Sequence, residues 1–219
     1  MSLQQLFSTY GGMYVKAYAA TLGMTVVSFV GAMILALLVT IARVCPIAPL
    51  RRLGDFYVQV FRNVATISLL IIFYYAFPYL GIVWNEMTCV IVTTILVAAS
   101  FGSENFMSGI NTIGVGQIEA ARSLGLSFGK ILRQVVIPQA LRSAVLPMTN
   151  LLVAVMLTTA IGSQVPLNPQ ELTGLVSYIN TMSVGGILPF AVSAILYAGT
   201  AFLMGLAGNA IDKRVRILR

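Results

Sequence analysis

Long apolar blocks alternate with shorter polar segments along the chain. The blocks lie at about 17–41, 56–79, 88–106, 144–164 and 187–210. A helix needs about 20 apolar residues to cross the hydrocarbon layer of a membrane, and each block meets that length. We therefore predict an all-α membrane protein with five transmembrane helices, built as a single domain over residues 1–219.

The composition supports a membrane protein and argues against one that binds nucleic acid. Apolar residues make up 58% of the chain and charged residues only 9%, which is too little charge to cover a soluble surface. The formal net charge is +7, but the basic residues lie between and after the apolar blocks and do not cluster on a soluble module. We therefore expect no nucleic-acid partner.

The positions of the basic residues predict the orientation of the chain. Nearly all of them follow the first block, follow the third block or lie in the C-terminal tail, whereas Lys16 lies on the other side. The residues in these three places are Arg43, Arg51, Arg52, Arg122, Lys130, Arg133, Arg142, Lys213, Arg214, Arg216 and Arg219. Cytoplasmic loops are enriched in Lys and Arg, so we predict an outside N-terminus and a cytoplasmic C-terminus. Residues 1–14 carry no Lys or Arg, so we expect no cleaved signal peptide.

The sequence lacks the residues for catalysis, for metal binding and for ATP binding. It contains no histidine, which excludes Ser-His-Asp and Cys-His sites. Cys45 and Cys89 are predicted at opposite membrane faces, so we expect neither a disulfide nor a zinc or haem site. The phosphate-loop candidate at 125–131 has one residue too few between its glycines and no Ser or Thr after its lysine. We expect no catalytic residue, metal or cofactor on this chain.

The polar segment at about 108–143 is predicted to form a cytoplasmic loop of two short helices. The first covers 116–125 and stops at its final glycine, which can adopt the left-handed conformation. Glu119 is expected in its first turn, where a carboxylate favours the positive end of the helix dipole. The second helix is expected over 128–136, with Pro138 interrupting it.

The spacing within this segment resembles the EAA loop of ABC importer permeases. That loop carries Glu-Ala-Ala, a glycine four residues after it, and Ile-x-Leu-Pro at a fixed distance. The matching residues here are Glu119-Ala120-Ala121, Gly125 and Val135-Val136-Ile137-Pro138. The wider matches, at 108–126 and 137–142, resemble the polar amino acid branch of the family, above all glutamate/glutamine permeases of Gram-positive bacteria.

The resemblance implies a permease with the type I ABC importer arrangement and a cytoplasmic coupling helix, in the inner membrane of a bacterium. It also implies a dimer of separate ATPase subunits that binds ATP and Mg²⁺, and an external binding protein that delivers an amino acid. The residues that it implicates in ATPase coupling are Gln117, Glu119, Ala120, Ala121, Ser123, Leu124 and Gly125. The small side chains of Ala120 and Ala121 would let the ATPase approach closely.

Two charged residues fall inside apolar blocks, where charges are costly and usually face an interior or a water-filled path. Arg62 lies in the second block and Glu104 in the third, at similar depth, so we expect them to pair. They are candidates to flank the substrate path or its gate; the alternative is a structural ion pair, or side chains that reach the interface. Thr158 and Thr159 are further candidates for the path, although membrane threonines often bond their own backbone.

The chain departs from the family pattern at three places where special or polar residues are common. Apolar residues stand there instead, at Val64-Ala65, Met107 and Leu157. A permease that has lost site residues can work beside a different permease that keeps them, so we favour a heterodimer over a homodimer. The glycines of the fifth block, Gly199, Gly205 and Gly208, are predicted to allow tight packing, either against the second permease or within the chain.

Two alternatives remain open at this point, an ATP-independent secondary transporter or channel and a structural membrane subunit. Secondary transporters often show inverted repeats and buried carboxylates, but five spans do not divide into equal halves. A structural subunit would need neither the glycine stop nor the loop spacing. The substrate is open as well: glutamate or glutamine leads, with arginine and cystine among the others.

Overall fold

A computed structural model of the chain describes residues 2–182 and 186–215. Every regular element in these two ranges is helical, which confirms the predicted all-α class. Arg216 and Arg219, which contributed to the predicted orientation, lie outside the described residues. The helices are α1 (Leu3–Val44), α2 (Ala48–Asn63), α3 (Thr66–Ile71), α4 (Glu86–Asn111), α5 (Val115–Ser123), α6 (Phe128–Ile131), α7 (Ile137–Ser143), α8 (Val145–Thr158), α9 (Leu172–Met182) and α10 (Leu188–Val215).

Within the described residues, four helices are long and apolar enough to cross a membrane. They are α1, α4, α10, and α8 together with the 3₁₀ turn Thr159–Gln164 that extends it. A fifth crossing is possible if α2 and the segment Thr66–Leu80 are taken together as one bent span. We call the end of the bundle that carries Arg43 and residues 108–143 the basic end, and the other the opposite end.

Helix α1 is longer than the predicted first block. It contains 42 residues, about 63 Å at 1.5 Å per residue, roughly twice the thickness of the hydrocarbon layer. Ser2 starts the helix, because its side chain accepts the N–H of Gln5 while the Gln5 side chain accepts the N–H of Ser2. The first turns of α1, with Leu6, Tyr14 and Ala17, pack against α9 and the start of α10 at the opposite end.

The prediction that the second block, 56–79, forms one continuous helix is wrong. The chain breaks after Asn63, and the axes of the two pieces differ by 98°. Helix α2 buries only Gly54 and Val58, and polar residues separate its apolar ones. It is therefore an amphipathic helix, and only the residues after the break form an apolar run.

Pro138 does not interrupt the second loop helix, contrary to the prediction. A widened π turn, Leu132–Val136, precedes the proline, and the N–H of Ile137 bonds the carbonyl of Leu132. Proline lacks an N–H and collides with the carbonyl four residues before it, and the wider turn accommodates both effects. The helix therefore continues through α7 to Ser143.

Helices α1 and α4 pack along each other through small residues. A Cβ built on Gly31 would lie 2.6 Å from Cδ1 of Ile95, and one built on Gly102 would lie 2.8 Å from Cβ of Ala36. Small residues let helix backbones approach closely where lipid offers no hydrophobic gain. Helix α8 completes the core around this contact, which contains Ala32, Ala36, Ala98, Ala99, Phe106, Ala144, Met148, Leu151 and Val155.

The connection between the fourth and fifth blocks contains a helix, α9, that the sequence analysis missed. It packs against the first turns of α1 and the start of α10 at the opposite end. Its buried residues, Leu172, Leu175, Val176 and Ile179, have the three-and-four spacing of an amphipathic helix, which was the available signal.

Glu171 fixes the start of α9 and is fully buried. Its carboxylate accepts the backbone N–H groups of Thr173 and Gly174 and the hydroxyl of Tyr197 on α10. Burial raises the pKa of Glu171, and the two backbone donors offset part of that rise. The buried carboxylate thus ties the start of α9 to α10.

Helix α10 contacts α8, α9 and α1 along one side, where Pro189, Ser193, Thr200 and Gly208 are buried. Gly208 lies so close to Thr149 of α8 that a Cβ has no room, whereas Gly199 and Gly205 face open space. The tight packing expected at Gly208 therefore occurs within the chain. Much of the remaining surface of α10 is apolar and exposed, at Phe190, Ile195, Phe202, Leu203, Leu206 and Ile211.

We expect Glu171→Ala to destabilise the protein, because it leaves three donors without an acceptor at a buried position. The loss should be at least about 2 kcal/mol in the free energy of unfolding. Glu171→Gln is the matched control and should cost less, because it keeps one acceptor oxygen and the raised pKa lowers the cost of a neutral group. Thermal unfolding in detergent micelles measures both; equal midpoints for Glu171→Ala and the wild type would contradict the role given to this side chain.

Candidate functional site

The first candidate site is the loop at 108–143, whose leading helix, α5, ends in the predicted way. Gly125 has φ of +73°. Its N–H bonds the carbonyl of Arg122 at 2.9 Å, and the N–H of Leu126 bonds the carbonyl of Ala121 at 3.2 Å. This pair of bonds is a Schellman motif, in which a left-handed residue satisfies the last helix carbonyls.

The loop forms a small packed unit that is attached directly to α4. Its own core contains Ile113, Ala121, Ile131 and Val136. A Cβ built on Gly109, near the end of α4, would lie 2.8 Å from the carbonyl oxygen of Ala140 in α7. Backbone therefore meets backbone where the loop packs on α4.

The seven residues implicated in coupling do not all share one face. Gln117, Glu119, Ala120, Ser123, Leu124 and Gly125 are exposed. Ala121 is only 5% exposed and belongs to the core of the loop. The expectation that both alanines present a small surface to a partner therefore fails for Ala121, whose small size lets α5 pack on its own loop.

Glu119 is available to an outside partner. Within the described residues its carboxylate makes neither a hydrogen bond nor an ion pair. Its predicted place in the first turn is wrong, because α5 begins earlier, at Val115, and has no acidic residue in its first turn. Gln117, by contrast, accepts a hydrogen bond from the side chain of Gln139 on α7 at 2.8 Å.

The second candidate site joins charged residues of three helices at the basic end. Arg62 and Glu104 lie together as expected, with Nη1 of Arg62 3.7 Å from Oε2 of Glu104. Nη1 of Arg43 makes the shorter contact with this carboxylate, 2.9 Å from Oε1. Nε of Arg43 also donates to Oδ1 of Asp55 at 2.9 Å. We call Arg43, Asp55, Arg62 and Glu104 the charge cluster.

The place of Arg43 in this site was not predicted from the sequence, in which this arginine was expected only in the basic turn after the first block. The available signal was the register: Arg43 follows the end of one apolar block as Glu104 nears the end of another, so parallel packing of the two helices brings them together.

Thr158 and Thr159 lie where α8 passes into its 3₁₀ extension. The hydroxyl of Thr158 donates to the carbonyl of Ala154 at 2.8 Å, and that of Thr159 donates to the carbonyl of Met156 at 2.7 Å. Thr159 is fully buried, and Thr158 is partly exposed. Both hydroxyls thus bond backbone carbonyls of their own helix. That Thr158 and Thr159 line the substrate path stays a prediction.

Comparison with known proteins gives consistent relatives over nearly the full length. The glutamate transport system permease protein GluC of Corynebacterium glutamicum is 30% identical over 228 residues, covering 98% of this chain and 99% of that protein. The L-cystine transport system permease protein TcyB of Bacillus subtilis is 28% identical over 206 residues, covering 94% of this chain and 85% of that protein.

Solved structures share the fold. A crystal structure of an amino acid ABC transporter with histidines matches with a TM-score of 0.89 at 20% identity, covering 98% of this chain and 99% of that chain. An inward-facing structure of the MetNI methionine ABC transporter matches with a TM-score of 0.82 at 24% identity, covering 99% of this chain and 100% of that chain. The predicted type I importer arrangement is thereby confirmed.

The family comparison matches residues 32–217 to the binding-protein-dependent transport system inner membrane component. That span takes in both candidate sites and every helix from the latter part of α1 onward. The proteins of this family are transport subunits, and no enzyme activity is expected of them. The chain therefore belongs to the family of inner membrane components of binding-protein-dependent transport systems.

Proposed function

We propose that this chain is the permease subunit of an ATP-driven importer of polar amino acids, and that its 108–143 loop docks on a separate ATPase. One observation carries the proposal. Helix α5 holds an unpartnered carboxylate, that of Glu119, on an exposed face, while Gly125 ends the helix and the core of the loop packs it on the rest of the loop, which meets α4 at Gly109. Such a helix is a rigid projection from a membrane bundle.

The surface around α5 suits a protein partner. Leu124 is 80% exposed and Val115 is 70% exposed, so the two ends of the helix present apolar side chains to solvent. Glu119 lies between them and is suited to accept hydrogen bonds from a basic side chain or a backbone N–H of the ATPase. Gln117, Ala120 and Ser123 share the exposed surface.

Polar amino acids as the substrate are supported by the relatives and not by a binding site on this chain. The curated relatives are named for glutamate, cystine, glutamine and arginine transport. Glutamate or glutamine leads, because the relative with 30% identity over nearly the whole chain is a glutamate permease. Calorimetric titration of the partner binding protein with these four amino acids identifies the substrate.

The proposed assembly contains two permeases, an ATPase dimer that binds ATP and Mg²⁺, and an extracytoplasmic binding protein. The apolar residues at Val64, Ala65, Met107 and Leu157 support a second, different permease that retains polar residues there. The basic end is placed in the cytoplasm and the N-terminus outside, in line with the distribution of Lys and Arg. Arg62, Glu104, Thr158 and Thr159 are proposed to lie near the path or its gate.

We expect Glu119→Lys to weaken association with the ATPase, because it replaces an unpartnered carboxylate on the docking face with a cation. A loss of at least about tenfold in affinity follows if Glu119 meets a positive group in a partly desolvated contact. Affinity purification of the complex, with the retained ATPase quantified, measures the effect. Glu86→Gln removes one acidic charge at the opposite end and should leave the association unchanged; equal retention in both variants would contradict the docking role.

We expect Gly125→Ala to disturb the end of α5, because residue 125 has positive φ. No atom lies within 4 Å of an added Cβ, so the cost is conformational, about 1–2 kcal/mol, and hydrogen exchange in the loop should speed up. Gly116→Ala is the matched control: residue 116 also has open space around it, lies inside α5, and should stabilise the helix by about 1 kcal/mol. Faster exchange in both variants, or in neither, would contradict the proposed glycine stop.

A further inference from the structure

The charge cluster links three helices through a single arginine. Arg43 of α1 reaches Asp55 of α2 through Nε and Glu104 of α4 through Nη1, each at 2.9 Å. Nη1 also donates to Oγ of Ser103 at 3.1 Å. The side chain of Arg43 is 13% exposed, whereas those of Asp55 and Glu104 are 54% and 34% exposed. The arginine is therefore enclosed by the three helices, and its carboxylate partners face the solvent side of the cluster.

Arg43 lies where α2 crosses α1. A Cβ built on Gly54 of α2 would lie 2.7 Å from Cγ of Arg43 and 3.3 Å from the carbonyl oxygen of Val39. The stem of the arginine is therefore packed against the backbone of α2 while its guanidinium bonds two carboxylates. No other arginine in the described part of the chain makes ion pairs to two different helices.

The charge cluster supplies two of the polar contacts between α2 and the other helices, through Asp55 and Arg62. Only Gly54 and Val58 of α2 are buried, so apolar packing holds this helix weakly. Beyond the cluster, the hydroxyl of Tyr57 donates to the carbonyl of Leu96 on α4 at 2.7 Å. The last turn of α2 carries Arg62, whose contact with Glu104 lies directly before the 98° bend toward α3.

The other side of the cluster leads to the 108–143 loop. Glu104 lies on α4, which runs on for about two more turns to Asn111. Gly109, in between, meets the backbone of Ala140 in the loop. The loop and Glu104 are thus joined by one continuous helix, and Glu104 contacts both Arg43 and Arg62.

We propose that Arg43 is a positioning residue for transport, which clamps α2 to α4 so that movement of the 108–143 loop reaches the bend between α2 and α3. This inference rests on the proposed coupling of that loop to an ATPase. It assigns the carboxylate of Glu104 to the clamp and not to the substrate. The bend between α2 and α3 changes position with ATP binding only while Arg43 contacts both Asp55 and Glu104.

The test uses the complete importer in proteoliposomes, with uptake and ATP hydrolysis measured together. Arg43→Gln and Glu104→Gln should each lower the substrate transported per ATP hydrolysed by at least about fivefold, the lower end of ordinary coupling energies. KM for uptake should stay unchanged, and the double variant should be no worse than either single variant, because both open the same clamp. Arg52→Gln, an exposed arginine of α2 outside the cluster, should behave as the wild type.

An unchanged ratio of transport to hydrolysis in Arg43→Gln, or losses that multiply in the double variant, would overturn the clamp. A raised KM with an unchanged ratio would also overturn it and assign Glu104 to the substrate. If the importer with Arg43→Gln does not assemble, Asp55→Asn and Arg62→Gln are used instead, because each weakens an ion pair between α2 and the rest of the cluster. A wild-type ratio of transport to ATP hydrolysis in both variants would overturn the clamp. Failure of the wild-type chain to bind an ATPase would instead refute the proposed function.

Discussion

The close packing of α1 on α4 is the contact on which the other elements depend. In an apolar layer, helices gain little from hydrophobic burial and associate through small residues and interhelical polar contacts. The contact between α1 and α4 uses both. Gly31 and Gly102 let the backbones approach, and nearer the basic end the Thr40 hydroxyl donates to Oγ of Ser103 at 3.1 Å. Helix α8 packs on α1 and α4, α2 crosses them, and the 108–143 loop follows the end of α4.

The loop motif combines residues with different physical tasks. Ala121 faces inward and lets α5 pack on its own loop, Gly125 ends the helix, and Glu119 and Ala120 face outward. A sequence motif does not distinguish the inward-facing residues from the outward-facing ones, although only the outward-facing residues can contact a partner. Under the proposed docking role, Ala121 is therefore excluded from the contact surface of this nine-residue helix.

The sequence predicts elements well where one local property decides them. Helices α4, α8 and α10 follow from long apolar runs, and the end of α5 follows from the conformational freedom of Gly125. Prediction fails where contacts from elsewhere decide. Helix α2 packs on α1 at Gly54 and turns by 98° after Asn63, and neither feature follows from an apolar run of the right length. Arg43 could be given its partners only once the register of α1 on α4 was known.

The claim that α5 presents one outward face to an ATPase is tested most directly by photo-crosslinking from single positions in the intact complex. A photoreactive residue at Ala120 should crosslink to the ATPase, because this position is exposed on the docking face. The same residue at Gln134, which is exposed on the second half of the loop, should crosslink much less. Crosslinks to the ATPase from Gln134 but not from Ala120 would contradict the account.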